Sequence, residues 1–378
     1  MDNFNIRTNC IICNNLLNNT FFTKDLSIPI SCYCNESKDS DNIFIPYNVY
    51  TCLLCKTTQT KYLGNLDIIY KFNHADSTGD IMKNLHKYAC KILEKYMDNV
   101  TNITEIGSAK GILSSLILQE YKNILKYYII EPQFIGDPIE KQIIIQKFFE
   151  NVDVEEYSDS NTIIISHVME HFYNPIDILK KIQENTNIEY FLLIWPDLEH
   201  YKDNNIYHVL NTEHTFYVDN NFIKLLFNNY SFEMLEQIKY ENHSVIYFFK
   251  RNNNLKSQEL ININYSIDTY FNRILSRKQE IIDFIKYNKN NNKQIYIWPA
   301  SVHTQFLLMI TEIKDIDFVL DNSPNKIGKY LYGYNLECKS FEDNNNNDGN
   351  AIILNGGCFN KEVINKINLN KEQILIIE

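Results

Sequence analysis

Arginine is scarce. Only Arg7, Arg251, Arg273 and Arg277 occur among 378 residues, and Asp+Glu 47 against Lys+Arg 36 leave a formal net charge of -11. No basic stripe exists to neutralise a phosphate backbone, so nucleic acid is not an expected partner. Long apolar runs are also missing: nothing approaches the ~18 uninterrupted apolar residues of a membrane span. The opening Met1-Asp2-Asn3-Phe4-Asn5 lacks the charged-then-apolar order of a secretory signal. A soluble cytoplasmic protein is expected. Nine cysteines is an odd number, and the placement of the first six suits metal better than a disulfide framework in a reducing compartment. Asparagine runs such as Asn290 to Asn292 and Asn344 to Asn347 sit in a chain that is 44% apolar, so they mark loops and not disorder.

What is present divides the chain in three. Residues 1–70 carry Cys10, Cys13, Cys52 and Cys55 among short polar turns, a piece too small to fold on apolar burial alone. Met82, Leu85, Tyr88, Ala89, Ile92, Leu93 and Tyr96 recur at helical spacing and predict a connecting helix over 81–98. Short apolar strands then alternate with helices. Strands are predicted at 102–106, 127–130, 161–166 and 190–195, helices at 112–121, 175–184 and 219–227, and a closing antiparallel hairpin at 232–240 and 245–250. This pattern predicts a doubly wound α/β domain over 71–251. Residues 252–378 open on a polar stretch and a helix over 267–287, and predict a second, smaller parallel-sheet domain. Its strands are expected at 294–298, 316–320, 351–354 and 373–377, with helices at 302–311 and 361–367.

Cys10-x-x-Cys13 and Cys52-x-x-Cys55 offer Zn²⁺ four thiolates on two tight turns, a closed structural site with no open position for water. Cys32 and Cys34 lie between the pairs and leave a different ligand set open, while Cys90, Cys338 and Cys358 read as plain core or surface thiols. In Glu105-Ile106-Gly107-Ser108-Ala109-Lys110-Gly111, Gly107 permits a sharp turn off a strand. Gly111 lets the next helix pack close, with its N-terminus facing a ligand. Glu131 closes the second strand, where a carboxylate accepts hydrogen bonds from both ribose hydroxyls, so an adenosine-containing ligand is expected. The loop Ser166-His167-Val168-Met169-Glu170-His171 follows a buried-looking strand and would line the same pocket. Its His and Glu side chains sit on one irregular turn, which favours hydrogen bonds that fix a loop over metal ligation.

Taken in order, these pieces resemble the zinc-containing S-adenosylmethionine-dependent sugar C-methyltransferases. The likeness rests on the two Cys-x-x-Cys pairs, Glu105-Ile106-Gly107-Ser108, Glu131-Pro132 and His167-Val168-Met169-Glu170-His171 with Pro175. It continues through Trp298-Pro299-Ala300-Ser301 and the segment from Asp321 to Lys329, and so covers nearly the whole chain. It implies a class I methyltransferase Rossmann-like sheet behind an N-terminal zinc-binding module, followed by a smaller C-terminal Rossmann-like α/β domain. S-adenosylmethionine and structural Zn²⁺ are the implied cofactors, and a nucleotide-linked deoxy keto-sugar is the implied substrate. Donor contacts are expected at Glu105, Gly107, Ser108, Gly111, Glu131, Pro132 and His167. Where the family has a Tyr-His-Glu-His segment that supplies the base, this chain reads Asn211-Thr212-Glu213-His214. The Glu-His pair is kept; Tyr207-His208 stands four residues earlier as a partial replacement for the rest.

A carbon beside a ketone becomes nucleophilic only after a base removes its proton, and the enolate needs a hydrogen-bond donor or cation. His214 falls on the base position, and imidazole titrates near neutrality. Glu213 is expected to orient it, and Tyr70, in Tyr70-Lys71-Phe72-Asn73-His74, to close over the sugar. Lys326 and Lys329 after Asp321 suit a diphosphate or a solvated loop. The Ala300-Ser301 turn lacks the glycine of most nucleotide loops, so a substrate-holding or vestigial role is expected there, not a second cofactor. Methyl transfer to oxygen or nitrogen of a related sugar, and a non-catalytic protein that keeps the donor fold, are the rival readings.

Overall fold

The structure, a computed structural model, describes residues 3–17, 26–72, 79–96, 98–204, 206–262, 267–344 and 347–377. Met1, Asp2, Asn73, His74 and the middle of the Asn344-to-Asn347 run lie outside the described residues.

Seven strands form the central sheet, in the order Gln142–Ile145, Lys126–Ile130, Asn102–Ile106, Thr162–Ser166, Tyr190–Pro196, Ser244–Arg251, Phe232–Tyr240. The first five are parallel, and Ser244–Arg251 runs antiparallel to both its neighbours. Tyr190–Pro196 is buried along its whole length, as a central strand covered on both faces must be. One face packs Leu85, Ala89, Leu93, Leu113 and Ile117 from helices Asp80–Glu94 and Ile112–Glu120. The other takes Ile178, Leu179, Phe222, Leu226 and Phe227 from helices Pro175–Glu184 and Asn220–Asn229. The sheet is the doubly wound α/β sheet expected over 71–251, closed by the antiparallel hairpin. Its edge strand, Gln142–Ile145, was not predicted.

The second α/β unit is also built on seven strands: Ile374–Ile376, Asn350–Leu354, Gln294–Trp298, Phe318–Asp321, Leu336–Ser340, Tyr330–Leu331 and Cys34–Asn35. Five are parallel; the last two pair antiparallel, and the outermost comes from the N-terminal module. Leu336–Ser340 is a further strand that was not predicted.

The N-terminal module is therefore not a separate bead. Its strand Thr58–Thr60 pairs with Val49–Thr51 on one side and with Phe216–Tyr217 on the other. Buried Arg7 donates from Nη1 to the carbonyls of Thr60 at 3.0 Å and Thr215 at 2.9 Å, and from Nη2 to Tyr173 O at 2.9 Å. Five guanidinium donors in a fixed fork let one residue satisfy carbonyls from three segments. Tyr47 of the module packs edge-on against Phe306 of the second unit, with ring centroids 5.5 Å apart.

Candidate active site

In the central sheet the strand order reverses between Asn102–Ile106 and Thr162–Ser166, and in open α/β sheets ligands bind at that point. The chain leaves Asn102–Ile106 through Gly107 at φ 77°. A Cβ there would lie 2.3 Å from Val168 Cγ2, so both the dihedral and the space demand glycine. Ala109 N–H donates to Glu131 Oε2 at 3.1 Å and Gln133 N–H to Oε1 at 2.9 Å, which fixes the carboxylate at the strand end.

A cavity of about 250 Å³ opens beside it, lined by Glu105, Gly107, Ser108, Glu131, Pro132 and His167. Tyr70, His171 and Glu213 complete another wall. Gly111 is absent from the lining; at φ 69° it serves the turn into the helix. Glu105 is buried in its strand, where burial pushes its carboxyl up to about 7 against a 2.9 Å hydrogen bond from the Tyr127 hydroxyl. Glu131, Glu150 and Glu213 also line the cleft, together with one lysine, Lys110. A cleft so lined, with the glycine turn and the strand-end acid, fits a cationic adenosyl sulfonium. His86 also lines it, unforeseen from the sequence; burial and nearby His167 hold its imidazole down to about 4.

Two loops meet at the far wall. Thr215 N–H donates to Glu170 O at 2.8 Å and its hydroxyl to Phe172 O at 2.6 Å. Asn211 Oδ1 accepts from the N–H groups of Glu213 at 2.8 Å and His214 at 2.9 Å. Asparagine at the tyrosine position thus caps the turn that presents both residues. His214 Nδ1 donates to Val209 O at 2.8 Å, which assigns the tautomer and leaves Nε2 as the basic nitrogen. The Tyr70 hydroxyl lies 3.1 Å from His171 Nδ1, itself 3.8 Å from Glu213 Oε2. The His171 and His214 rings are 5.3 Å apart.

Tyr70, Glu213 and the donor-loop residues thus converge, whereas His214 is absent from the cavity lining and stands beside His171, which is in it. His171 was not among the predicted site residues. Its signal was adjacency to Glu170 in the loop after a buried strand. Tyr207 and His208 do not join the site: the Tyr207 hydroxyl donates to Asn355 Oδ1, and the His208 ring lies 4.6 Å from that of His303.

In the N-terminal module the ligand atoms of Cys10, Cys13, Cys52 and Cys55 all lie within 4.8 Å of one another. Cys10 Sγ is 3.5 Å from Cys55 Sγ and Cys13 Sγ is 3.5 Å from Cys52 Sγ. Sulfurs about 3.8 Å apart are what a tetrahedron with Zn–S bonds of about 2.3 Å requires. The two turns are built alike, with Asn14 N–H bonded to Cys10 O at 2.9 Å and Lys56 N–H to Cys52 O at 3.0 Å. Cys32 and Cys34 are outside this set. The Cys32 thiol donates to Glu213 Oε1 at 3.3 Å, and Cys34 lies beside Cys338. At the head of the second sheet, Lys326 Nζ bonds Ala300 O at 2.7 Å and Asp321 Oδ2 at 3.1 Å, and Lys329 pairs with Glu36 at 2.8 Å.

Residues 79–237 match the model of a methyltransferase domain, and residues 235–373 match that of a C-methyltransferase C-terminal domain. Among solved structures, the methyltransferase domain of bacterial CtHen1-C is 13% identical, with a TM-score of 0.38, over 46% of this chain and 100% of that one. The N,N-8-amino-8-demethyl-D-riboflavin dimethyltransferase RosA from Streptomyces davawensis is 10% identical, with a TM-score of 0.35, over 45% of this chain and 56% of that one. The N-terminal domain of EvdMO1, solved with S-adenosylhomocysteine, is 10% identical, with a TM-score of 0.32, over 46% and 85%. No curated protein matches the sequence. The chain is an S-adenosylmethionine-dependent methyltransferase. It carries a C-methyltransferase C-terminal domain behind its donor-binding sheet. Among the described residues, no helix is long and apolar enough to cross a membrane.

Proposed function

We propose that this enzyme methylates the carbon beside the ketone of a nucleotide-linked deoxy sugar, with His214 as the base. The observation that carries this reading is the half-buried Tyr70–His171–Glu213–His214 group set against the wall of the donor cleft. S-adenosylmethionine supplies a methyl group on a sulfonium, open to attack from the side opposite sulfur. Glu131 suits the ribose hydroxyls, and Gly107 lets the backbone approach the donor closely. His214 Nε2 takes the proton from the substrate carbon. Burial first, then the Glu213 charge, keeps the Tyr70 phenol protonated, so its hydroxyl is available to the oxygen that becomes negative. The four thiolates of Cys10, Cys13, Cys52 and Cys55 would hold a structural Zn²⁺, which would stabilise the module and not take part in methyl transfer.

Mass spectrometry of a panel of nucleotide sugars incubated with enzyme and donor identifies the acceptor and the methylated atom. His214→Ala should keep donor affinity in calorimetry while turnover falls by about 10²-fold or more. A variant as active as wild type, or a product methylated on oxygen or nitrogen, refutes the reading.

A further inference from the structure

Glu170 is 2% exposed, yet neither of its carboxylate oxygens receives a hydrogen bond of normal geometry. Imidazoles surround it instead. His167 Nδ1 stands 3.5 Å from Oε1 and His214 Nε2 stands 4.0 Å from the same oxygen. Removing a carboxylate from water costs several kcal/mol per ion unless neighbours compensate. Although burial opposes ionisation, His167, His171 and His214 hold the group ionised, down to about 2. In the other direction, burial pushes His214 down to about 4, and Glu170 is the foremost influence resisting that fall.

We propose that Glu170 is a positioning residue for methyl transfer: its anion faces the Nε2 edge of His214 and makes this half-buried imidazole a competent base. The inference rests on His214 being the base. When the substrate C–H bond breaks, its electron pair stays on the substrate as the enolate and the proton goes to Nε2. Glu170 neither gains nor loses a proton; it remains the counter-ion of the new imidazolium. The Thr215 N–H to Glu170 O bond of 2.8 Å keeps the two loops in register for this.

The other groups that face the cluster do not substitute for it. His171 is engaged with the Tyr70 hydroxyl and Glu213. His167 Nε2 lies 3.0 Å from Ser244 Oγ, which is 2.6 Å from His243 Nδ1. Tyr201 and His243 feel the same carboxylate, but burial keeps both neutral.

The test measures the proton step without methyl transfer. Full-length enzyme with S-adenosylhomocysteine bound is incubated in D₂O with a nucleoside-diphosphate deoxy keto-sugar, and deuterium entering beside the ketone is followed by NMR. Glu170→Gln should slow exchange at least tenfold, roughly the lower reach of general-base catalysis. Its donor affinity should stay near wild type. The acid limb of its rate profile should move down by about one pH unit, the effect of losing an adjacent opposite charge. Glu170→Asp, which keeps the charge, should recover most of the rate.

Exchange at the wild-type rate in Glu170→Gln overturns the proposal, as does an Asp variant no faster than Gln. A second bound divalent ion per chain, lost on Glu170→Gln, overturns it in favour of a metal site. If the Gln variant does not fold, as read by lost donor binding, the Asp variant decides: a rate reduced as far as in His214→Ala refutes the charge role. Exchange that survives in His214→Ala refutes the base assignment itself. Exchange lost there but intact in Glu170→Gln refutes only the role of Glu170.

Discussion

The two large sheets share a plan and differ at their heads. In the central sheet, Gly107 turns at φ 77° and a cavity of about 250 Å³ opens beyond the strand ends. In the second sheet, Ala300 and Ser301 stand at the corresponding turn, and Lys326 reaches Ala300 O and Asp321. Asp321 ends its strand much as Glu131 does, and both accept backbone N–H groups, but Asp321 also pairs with the Lys326 ammonium, while Glu131 borders the cavity. Tyr207 and His208 from the methyltransferase unit meet Asn355 Oδ1 there. One head opens on a cavity; the other seats neighbouring side chains. A strand-end acid therefore means different things depending on whether the facing groups come from the protein or leave space for something else.

The strongest way to break this contrast is to exchange the fates of the two acids. Asp321→Ala strands Lys326 as a nearly buried charge and should lower unfolding free energy by about 3–5 kcal/mol in urea titrations, with donor affinity unchanged. Glu131→Gln should do the reverse, costing little stability and weakening donor binding at least about tenfold, the loss of one charge-assisted hydrogen bond. Loss of donor affinity in Asp321→Ala would show that the second head is not closed. Gly107→Ala sharpens the point: strain at positive φ and the clash with Val168 should reduce donor affinity about tenfold or more, whereas Ala300→Gly should leave it alone.

Metal removal probes how the module reaches the open head. Stripping the four-cysteine site should loosen Arg7 and through it Thr215, so amides over 210–217 should exchange hydrogen faster and turnover should fall. Unchanged exchange there would separate module from site. A smaller effect concerns pH. Burial raises Glu105 to about 7 from an ordinary value of 4.5, so between those values the folded chain binds more protons than the unfolded one. Stability should consequently decline as pH rises through that window, and Glu105→Gln should flatten the slope of urea midpoint against pH.

Local patterns carried much of this into view. The glycine turn, the acid closing the second strand and the two Cys-x-x-Cys pairs depend on neighbours in sequence, and each was legible. Gln142–Ile145 escaped because it is a short edge strand, half-buried and following a polar loop. Leu336–Ser340 escaped because Leu-Glu-Cys-Lys-Ser has little apolar character of its own. The partnerships of His171 with Tyr70, of Cys32 with Glu213 and of Glu170 with His214 join residues far apart in the chain, and no periodicity encodes them. Tyr207-His208 misled for the same reason: nothing local tells that the second unit would claim them.

The pairing of Cys34–Asn35 with Tyr330–Leu331 also sets an order of assembly. During synthesis the early segment emerges long before its strand partner exists, so that edge must wait, unpaired, until Tyr330 and Leu331 have left the ribosome. Completion of that edge is thus gated by translation of a segment about 300 residues downstream.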